Sequence, residues 1–296
     1  MVIRLQAGFY TIQTSRGAVT CQLRGRLKKN RDEGDIVAVG DRVEINLQDD
    51  GSGSIETVLP RIRALERLAP GLRGEYQQVL LANPDQMVLV FACANPAPHL
   101  RMLDRFLVIC EKQSIPVLIV ANKVDLLPDQ QAHALFNLYP PLGYPVLFTS
   151  AAQNIGIEDL REHLHGKLSG FAGPSGVGKT SLLNTLQPGL GLGVKQVSQA
   201  TSKGRHSTVV RELHSLDGGG YVADLPGLRS LMLWDIEPEE LDGYFPEIRS
   251  LVAHCQFNDC THRDEPGCAV RAAALEGRIA PQRYESYLRI RYGEER

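Results

Sequence analysis

The hydrophobic and polar positions of this 296-residue chain follow three different patterns along its length. Before residue 60, short stretches of alternating apolar and polar residues are separated by turn residues. From about residue 75, runs of consecutive apolar residues alternate with stretches that have apolar residues at helical spacing. Beyond residue 235, helical stretches surround a cluster of cysteine and histidine. These changes of pattern predict three units, at residues 1–66, 67–234 and 235–296.

The N-terminal unit is predicted to be a small β-barrel. Five short strands separated by turns are typical of the OB-type barrel, which binds oligonucleotides on an open face. The segment 60–74, rich in arginine, glycine and proline, is interpreted as a linker. The expected strands are residues 8–14, 18–23, 35–39, 42–47 and 54–58.

The central unit is predicted to be an α/β domain with a parallel sheet and crossover helices. Its expected strands are residues 87–92, 116–121, 145–149, 168–172, 209–216 and 220–223, and its expected helices are 100–113 and 180–186. The C-terminal unit is expected to be mostly helical, with helices at 240–254, 269–275 and 282–292.

The motif N-K-V-D at residues 122–125 follows the second central strand. Open α/β sheets bind their ligands at the carboxyl ends of their strands. A carboxylate there can accept two hydrogen bonds from guanine, whose donor pair adenine lacks, so Asp125 is predicted to select GTP over ATP. Asn122 is expected to brace the loop, and the aliphatic stem of Lys123 to cover the purine ring. The short loop at residues 150–151 is expected to offer a backbone amide to the guanine carbonyl.

A second motif, G-P-S-G-V-G-K-T at residues 173–180, matches the phosphate-binding pattern G-x-x-x-x-G-K-[ST] without a gap. Glycines in such a loop let backbone N–H groups turn onto a phosphate, and the following helix adds its positive N-terminal end. Lys179 is predicted to bridge the β- and γ-phosphates, and Thr180 to bind Mg²⁺ through its hydroxyl. The residues predicted to contact the nucleotide are Asn122, Lys123, Asp125, Ser150, Ala151, Gly173, Pro174, Ser175, Gly176, Val177, Gly178, Lys179, Thr180 and Ser181.

The two motifs occur in an unusual order. In an ordinary small GTPase the phosphate loop opens the domain and the base-reading loop lies far downstream, whereas here residues 122–125 precede residues 173–180. This order indicates a circularly permuted GTPase domain. The chain then runs from the phosphate loop through both switch regions into the C-terminal unit, so the nucleotide state is predicted to set the position of that unit relative to the barrel.

Two switch regions are predicted downstream of the phosphate loop. Asp224 and Gly227 belong to a D-x-x-G motif, in which the carboxylate would hold the Mg²⁺ shell and the glycine amide would reach the γ-phosphate. Thr208 is the preferred Mg²⁺ ligand from the first switch, with Ser207 as the alternative, because both precede a predicted strand.

A water-positioning glutamine is missing after the D-x-x-G motif. Ras-type enzymes carry one there, whereas this chain has Leu228 and Arg229. Intrinsic hydrolysis is therefore expected to be slow until a partner orders the loops. His206 is either a substitute that orients the attacking water or a solvent-exposed histidine. The residues assigned to catalysis are Lys179, His206, Thr208, Asp224 and Gly227.

The six cysteines divide into two groups. Cys255, Cys260, His262 and Cys268 supply three thiolates and one imidazole, a suitable set for a closed, tetrahedral Zn²⁺ site, with His254 as a competing ligand. A unit this small is expected to need its metal to fold. The remaining cysteines, expected to pack as small hydrophobic residues, are Cys21, Cys93 and Cys110.

Charge and hydropathy limit the partners of the chain. The net charge of −2 gives no global attraction to nucleic acid, so RNA binding requires a local patch. Residues 1–31 contain seven basic side chains and no acidic one, which indicates either such a patch or a solvated loop. No apolar run approaches the roughly 18 residues that span a bilayer, and no signal-peptide pattern is present. A cytoplasmic protein without a membrane partner is therefore expected.

Together these features resemble the RsgA (YjeQ/YloQ) family of circularly permuted bacterial GTPases. The resemblance rests on a β-barrel followed by N-K-V-D, G-P-S-G-V-G-K-T, G-R-H-S-T, D-L-P-G and C-x₄-C-x-H-x₅-C, and it covers almost the whole chain. This chain has Thr180, Ser207 and Leu225 where family members commonly have Ser, Thr and Thr. None of these differences removes a hydroxyl that Mg²⁺ binding needs.

The resemblance implies GTP hydrolysis stimulated by the 30S ribosomal subunit during late small-subunit maturation. It also implies GTP/GDP bound with Mg²⁺, one structural Zn²⁺, and contacts of the barrel and the zinc unit with 16S rRNA; a monomer is expected. Two alternatives remain open. One is a guanine-nucleotide-sensing RNA-binding module with little turnover, and the other is a P-loop ATPase or kinase in which N-K-V-D is accidental.

Overall fold

The chain forms a β-barrel, a β-hairpin, a central sheet between two layers of helices, and a C-terminal helical unit. No helix in the described part of the chain is long and apolar enough to cross a membrane. The computed structural model describes residues 1–25, 27, 35–71, 74–191, 211–225 and 236–293.

Five strands form the N-terminal barrel. They are β1 (Val2–Gln6), β2 (Phe9–Thr14), β3 (Gly17–Leu23), β4 (Val43–Leu47) and β5 (Gly53–Val58). Their order is β1-β2-β3-β5-β4, with β3 and β5 parallel and the other pairs antiparallel. Val2 N donates to Asp41 O and Gly40 N donates to Val2 O, both at 2.8 Å, which brings the segment before β4 back to β1. The predicted OB-type barrel is therefore confirmed.

The barrel differs from the prediction in two strands. Residues 35–39 bend, because the buried Asp41 carboxylate accepts a 2.7 Å hydrogen bond from Ala38 N and Gly40 has a left-handed φ of +91°. A Cβ on residue 40 would lie 2.0 Å from Ala82 O, so this turn requires glycine. The prediction of a strand at 35–39 is therefore wrong. The fifth strand of the barrel is β1, which the sequence analysis does not predict.

A long β-hairpin follows the barrel. Its strands are β6 (Ala64–Gly71) and β7 (Gly74–Ala82), which pair antiparallel along their whole length. Leu65 and Leu81 belong to the hydrophobic core of the central unit. The hairpin is therefore anchored to the central sheet by apolar packing.

The prediction of a linker at residues 60–74 is wrong, because most of this segment is the first strand of the hairpin. Pro70 and Gly71 mark the end of that strand, where turn-forming residues are common. The expected boundary between residues 66 and 67 lies inside β6.

The remaining strands are β8 (Gln86–Ala92), β9 (Val117–Asn122), β10 (Val146–Thr149), β11 (Leu168–Ala172), β12 (Arg211–Glu212), β13 (His214–Ser215) and β14 (Tyr221–Asp224). All except β12 form the central sheet, in the order β10-β9-β8-β11-β14-β13. Neighbours run parallel except β13, which is antiparallel to β14.

Helices cover both faces of the central sheet: α1 (Leu100–Lys112), α2 (Asp129–Phe136), α3 (Ile157–Leu164) and α4 (Lys179–Leu186). Along β8, Leu89 and Phe91 belong to the core that includes α1, whereas Val88 and Val90 belong to the core that includes α3 and α4. A strand buried on both faces reads as a continuous apolar run, and for that reason it could be predicted. The predicted α/β domain is confirmed, and it contains two helices, α2 and α3, that the sequence analysis does not predict.

Residues 211–215 belong to two sheets. β12 pairs antiparallel with barrel strand β1, with Arg211 opposite Leu5, and β13 pairs with β14 of the central sheet. Between the two strands, the N–H of buried Leu213 donates to Ile3 O at 2.8 Å. The segment 211–215 therefore ties the barrel to the central sheet through backbone hydrogen bonds.

The side chain of Arg211 adds a third connection. Its Nη1 donates to Asp35 Oδ2 at 3.3 Å and to Val79 O of the hairpin at 3.1 Å. One strand is predicted at 209–216, but the described part, from Arg211 onward, is divided into β12 and β13. Residues 209 and 210 lie outside the description.

The C-terminal unit contains α5 (Pro246–Arg249), α6 (Ala269–Leu275), α7 (Pro281–Tyr292) and 3-10 helices at Leu241–Tyr244 and Val252–His254. The continuous helix predicted at 240–254 is wrong. Phe245 has extended backbone angles and Pro246 lacks the N–H that a helix interior needs, so a new helix begins there. The predictions at 269–275 and 282–292 are confirmed.

Arg283 of α7 attaches this unit to the central sheet domain. Its guanidinium is 1% exposed and donates to Asp104 Oδ1 of α1 and to Glu247 Oε1 of α5, both at 2.7 Å. The guanidinium also lies 4.5 Å from the centroid of the Phe245 ring. Burial raises the pKa of Asp104, and the charge of Arg283 opposes that shift. The side chains of this cluster therefore depend on one another for their charge balance.

Replacing Arg283 with alanine should destabilise the C-terminal unit by about 3–5 kcal/mol, because Asp104 and Glu247 would stay buried without their cation. Urea unfolding, with hydrogen exchange of the α7 amides as the local probe, measures this loss. The matched control is Arg289→Ala on the same helix, which removes an i,i+4 ion pair with exposed Glu285 and should cost about 0–1 kcal/mol. Equal losses in the two variants would contradict an anchoring role for the buried cluster.

Candidate nucleotide-binding site and metal centre

The two predicted nucleotide loops lie at the same edge of the central sheet. β9 ends at Asn122 and β11 ends at Ala172, and both run parallel to β8, which lies between them. Their carboxyl ends therefore point to one side, where the loops at residues 122–125 and 173–180 meet. The order of the strands in the sheet therefore brings the two motifs together, although they lie far apart along the chain.

The side chain of Asn122 joins these loops. It is 1% exposed, and its Nδ2 donates to Val177 O of the phosphate loop at 2.8 Å. Its Oδ1 accepts a 3.1 Å hydrogen bond from Thr149 Oγ1 at the end of β10. One amide therefore connects the ends of β9 and β10 to the phosphate loop, and only a side chain with both a donor and an acceptor can do this.

Lys123 makes a second connection between the loops. Its backbone is left-handed, with φ of +65°. Its Nζ donates to Gly176 O at 2.6 Å and to Asn95 O in the loop after β8. The ammonium group therefore fastens the phosphate loop to the loop after β8, a role that the sequence motif alone does not reveal.

Asp125 lies in the short 3-10 turn Val124–Leu126. The Ser150 hydroxyl donates to Asp125 Oδ1, and this hydrogen bond orients the carboxylate. The Ser150 N–H donates to Ile155 O, and the Ile155 N–H donates to Ser150 O, each at 3.0 Å. The sequence prediction misses the hydroxyl contact, and the only signal for it is a serine placed directly after a strand.

Glycine is required at two positions of the phosphate loop. Gly173 and Gly178 have φ of +145° and +96°. A Cβ on Gly173 would lie 2.1 Å from Val90 O, and a Cβ on Gly178 would lie 2.4 Å from Asn122 Nδ2. The loop can therefore approach β8 and the Asn122 amide only because both residues lack a side chain.

The phosphate loop leads directly into α4, which begins at Lys179. Lys179 Nζ donates to Gly173 O at 2.7 Å and to Pro174 O at 2.8 Å, so its ammonium lies over the loop. Thr180 and Ser181 lie in the first turn of α4. The N–H groups at a helix N-terminus carry partial positive charge, so the loop and the start of α4 are suited to binding an anion.

Asp224 ends β14 beside the phosphate loop, with Phe171 of β11 as its partner in register. Its Oδ1 is one of two buried side-chain polar atoms in the described residues that have no hydrogen-bond partner. Burial raises the pKa of Asp224, while the charges of Lys179 and His214 act to lower it. A buried carboxylate oxygen without a donor suits a divalent cation, which Asp224 could hold together with the Thr180 hydroxyl.

Three residues assigned to catalysis, His206, Thr208 and Gly227, lie outside the residues that the structure describes. The same holds for Ser207, the alternative ligand from the first switch. Their assigned roles stay predictions.

Cys255, Cys260, His262 and Cys268 come together in the C-terminal unit, and their ligand atoms all lie within 4.8 Å of one another. His262 Nδ1 lies 3.6 Å from Cys255 Sγ and 3.5 Å from Cys268 Sγ. Cys255 is half-buried and the other three are buried. These four side chains could hold a metal ion, whereas His254 is exposed and lies outside the group.

The other cysteines, Cys21, Cys93 and Cys110, are buried. Burial raises the pKa of Cys93 to about 11 and that of Cys110 to about 12. Thiols of this kind stay protonated at neutral pH and react poorly, which agrees with their predicted role in packing.

Two family models match the chain. That of the RsgA N-terminal domain matches residues 1–55, and that of the RsgA GTPase matches residues 58–234. The chain belongs to the RsgA GTPase family. One relative, the small ribosomal subunit biogenesis GTPase RsgA of Gemmatimonas aurantiaca, is 45% identical over 295 residues, which cover 98% of this chain and 95% of the relative. The RsgA of Moorella thermoacetica is 44% identical over 287 residues, with 97% and 94% covered.

Two solved structures share the fold of this RsgA-family chain. YjeQ from Thermotoga maritima has a TM-score of 0.81 at 38% identity, over 99% of this chain and 96% of YjeQ. YloQ, described as a circularly permuted GTPase, has a TM-score of 0.76 at 33% identity, over 99% of this chain and 93% of YloQ. The circular permutation predicted from the order of the motifs is confirmed.

In this RsgA-family chain, replacing Gly178 with alanine should lower the affinity for GTP about tenfold or more. A Cβ there would meet Asn122 Nδ2 at 2.4 Å, and the φ of +96° is strained for any side chain, at a cost of roughly 1–3 kcal/mol. Binding of a fluorescent GTP analogue measures the change. Gly189→Ala is the matched control, because no atom lies within 4 Å of a Cβ at that position. Unchanged affinity in the Gly178 variant would contradict the proposed approach of the two loops.

Proposed function

We propose that this protein is a GTP hydrolase that acts in the biogenesis of the small ribosomal subunit and is stimulated by the 30S particle. The observation that carries the proposal is the Asn122 side chain, which joins a guanine-type loop to a phosphate loop at one edge of the sheet. The ribosomal part rests on relatives of 45% and 44% identity that are named small ribosomal subunit biogenesis GTPases. That role also supports a cytoplasmic location.

We assign the selection of guanine to Asp125. Its carboxylate would accept hydrogen bonds from the N1–H and the exocyclic amine of guanine. The Ser150 hydroxyl, which donates to Asp125 Oδ1, holds the carboxylate in orientation for that contact. Because the Ser150 N–H bonds within its own loop, the Ala151 amide is the better donor to the guanine carbonyl.

The phosphates would bind in the concavity formed by residues 173–180 and the start of α4. Lys179, which now donates to carbonyl oxygens of the loop, would move its ammonium onto the β- and γ-phosphates. Thr180 and Asp224 would hold Mg²⁺, and the buried, unpartnered Asp224 Oδ1 supports this assignment. A cation held by these two residues would supply positive charge that offsets the negative charge of the phosphates.

Hydrolysis requires a water in line with the γ-phosphate. We assign the Gly227 amide to the γ-phosphate, the Thr208 hydroxyl to the Mg²⁺ shell and His206 to the orientation of the water. Without a glutamine after D-x-x-G, the chain is expected to hydrolyse GTP slowly until the 30S particle orders these residues.

The metal of the C-terminal group is proposed to be one structural Zn²⁺. With Zn–S of about 2.3 Å and Zn–N of about 2.0–2.1 Å, tetrahedral geometry separates sulfur from nitrogen by roughly 3.6 Å. The distances of 3.6 and 3.5 Å from His262 Nδ1 to Cys255 and Cys268 Sγ support this assignment. Four protein ligands leave no open position, so the metal would stabilise the fold and take no part in hydrolysis.

Contacts with 16S rRNA are proposed for the barrel (residues 1–66) and the C-terminal unit (235–296), on either side of the GTPase unit (67–234), in a monomer. Exposed arginines of the C-terminal unit suit phosphate contacts; they are Arg271, together with Arg263 and Arg278, which also pair with the exposed carboxylates of Asp264 and Glu276. In the barrel, Arg24 is paired with Glu56, and Arg61 binds the buried Asp41 carboxylate through two hydrogen bonds. Arg61 is therefore assigned a structural role in the barrel.

The nucleotide state is proposed to act on the barrel. Residues 211–215 follow the first switch region and bind both the barrel and the central sheet through backbone hydrogen bonds. The C-terminal unit is instead held to α1 by buried Arg283. The relative motion of the barrel and the C-terminal unit that the motif order predicts is therefore proposed to be transmitted through residues 211–215.

Purified protein should hydrolyse GTP slowly alone and at least about 100-fold faster with 30S subunits, since completing the catalytic site raises turnover by roughly 10³–10⁵ in other GTPases. Lys179→Ala should abolish turnover in both conditions. Lys167→Ala, a lysine of the same domain whose Nζ lies 3.5 Å from Gln86 Oε1, is the matched control. A rate that 30S subunits leave unchanged would reject the proposal and favour a nucleotide-sensing RNA-binding module.

A further inference from the structure

Both ring nitrogens of His262 have partners, and they come from different parts of the chain. Nδ1 faces the sulfurs of Cys255 and Cys268 at 3.6 and 3.5 Å. Nε2 lies 3.3 Å from Asp242 Oδ2 on the 3-10 helix Leu241–Tyr244. His262 itself is fully buried, with 0% exposure, so its ring nitrogens face these side chains and not bulk solvent.

We propose that Asp242 is a positioning residue of the metal centre, which holds His262 in the tautomer that carries its proton on Nε2 and offers the Nδ1 lone pair to the metal. This inference rests on the metal centre of the proposed function. A neutral imidazole has one N–H and one lone pair, and an acceptor beside one nitrogen decides which nitrogen carries the proton. A carboxylate behind a metal-binding histidine also fixes the ring orientation and strengthens the ligand.

The backbone of His262 is fixed independently of Asp242. It has a left-handed φ of +63°, and its carbonyl oxygen accepts a hydrogen bond from Tyr284 Oη of α7. The Tyr287 ring lies 5.8 Å from the imidazole centroid. With the backbone held by α7, rotation of the ring is the remaining freedom, and Asp242 restricts that rotation.

Asp242 is held from outside the metal-binding loop. Its 3-10 helix follows Glu240, whose Oε1 accepts a 2.6 Å hydrogen bond from Lys112 Nζ of α1. Tyr244, at the end of the same 3-10 helix, donates to Glu240 Oε2 at 3.0 Å. The carboxylate behind His262 therefore belongs to the segment that leads from the central domain into the C-terminal unit, and Cys/His spacing cannot reveal it.

Competition between the full-length protein and a chromophoric zinc chelator tests the proposal. Asp242→Ala should weaken zinc binding about 10–100-fold, and Asp242→Asn should weaken it less, because its amide oxygen can still accept from Nε2–H. Asp264→Ala is the matched control, since Asp264 lies in the same unit with an 85% exposed side chain. Its affinity should stay within about twofold of the wild type.

Imidazole nitrogen NMR of the zinc-loaded wild type supplies a second readout. This measurement does not depend on whether a variant folds. The proposal requires a protonated Nε2 and a metal-bound Nδ1 in His262. Binding through Nε2, or wild-type zinc affinity in both Asp242 variants, would overturn the positioning role while leaving the metal centre intact. A wild-type protein that binds no zinc would overturn the metal centre itself, and this inference with it.

Discussion

The buried amide of Asn122 is the interaction on which the nucleotide site depends. Strand order brings the predicted guanine loop and the phosphate loop to one edge of the sheet, but side chains set the distance between them. Asn122 does so by donating to Val177 O while accepting from Thr149 Oγ1, and Lys123 adds a bond to Gly176 O. These contacts join loops in space, so they do not depend on which loop comes first in the chain.

Circular permutation instead decides which parts of the molecule are attached to the site. Downstream of the phosphate loop, residues 211–215 pair with both the barrel and the central sheet. The C-terminal unit is held to α1 by Arg283, whose charge is balanced by Asp104 and Glu247 in a buried cluster. Both flanking units are therefore bound to the central domain, the barrel through residues 211–215 and the C-terminal unit through Arg283.

Local chemistry could be predicted from the sequence, and contacts between distant residues could not. The phosphate loop and the Cys/His group depend on spacings of a few residues, which a sequence displays directly. The contacts of Ser150 with Asp125, Asp242 with His262 and Arg283 with Asp104 join residues that are 25, 20 and 179 positions apart. The prediction for segment 60–74 is wrong for a different reason, since its proline and glycine residues favour a linker, whereas its strand pairs with the next strand along the chain.

The nucleotide preference of Asp125→Asn tests most directly whether the loops form one guanine-selective site. An asparagine amide can donate to the second carbonyl of xanthine but repels the exocyclic amine of guanine. The preference for GTP over XTP should therefore reverse. The ratio of the two affinities should change by a factor of roughly 100 or more, since two hydrogen bonds of about 1–3 kcal/mol each are affected. Asp129→Asn, on α2, is the control and should keep the wild-type preference. Measured affinities that still favour GTP in the Asp125 variant would contradict this account.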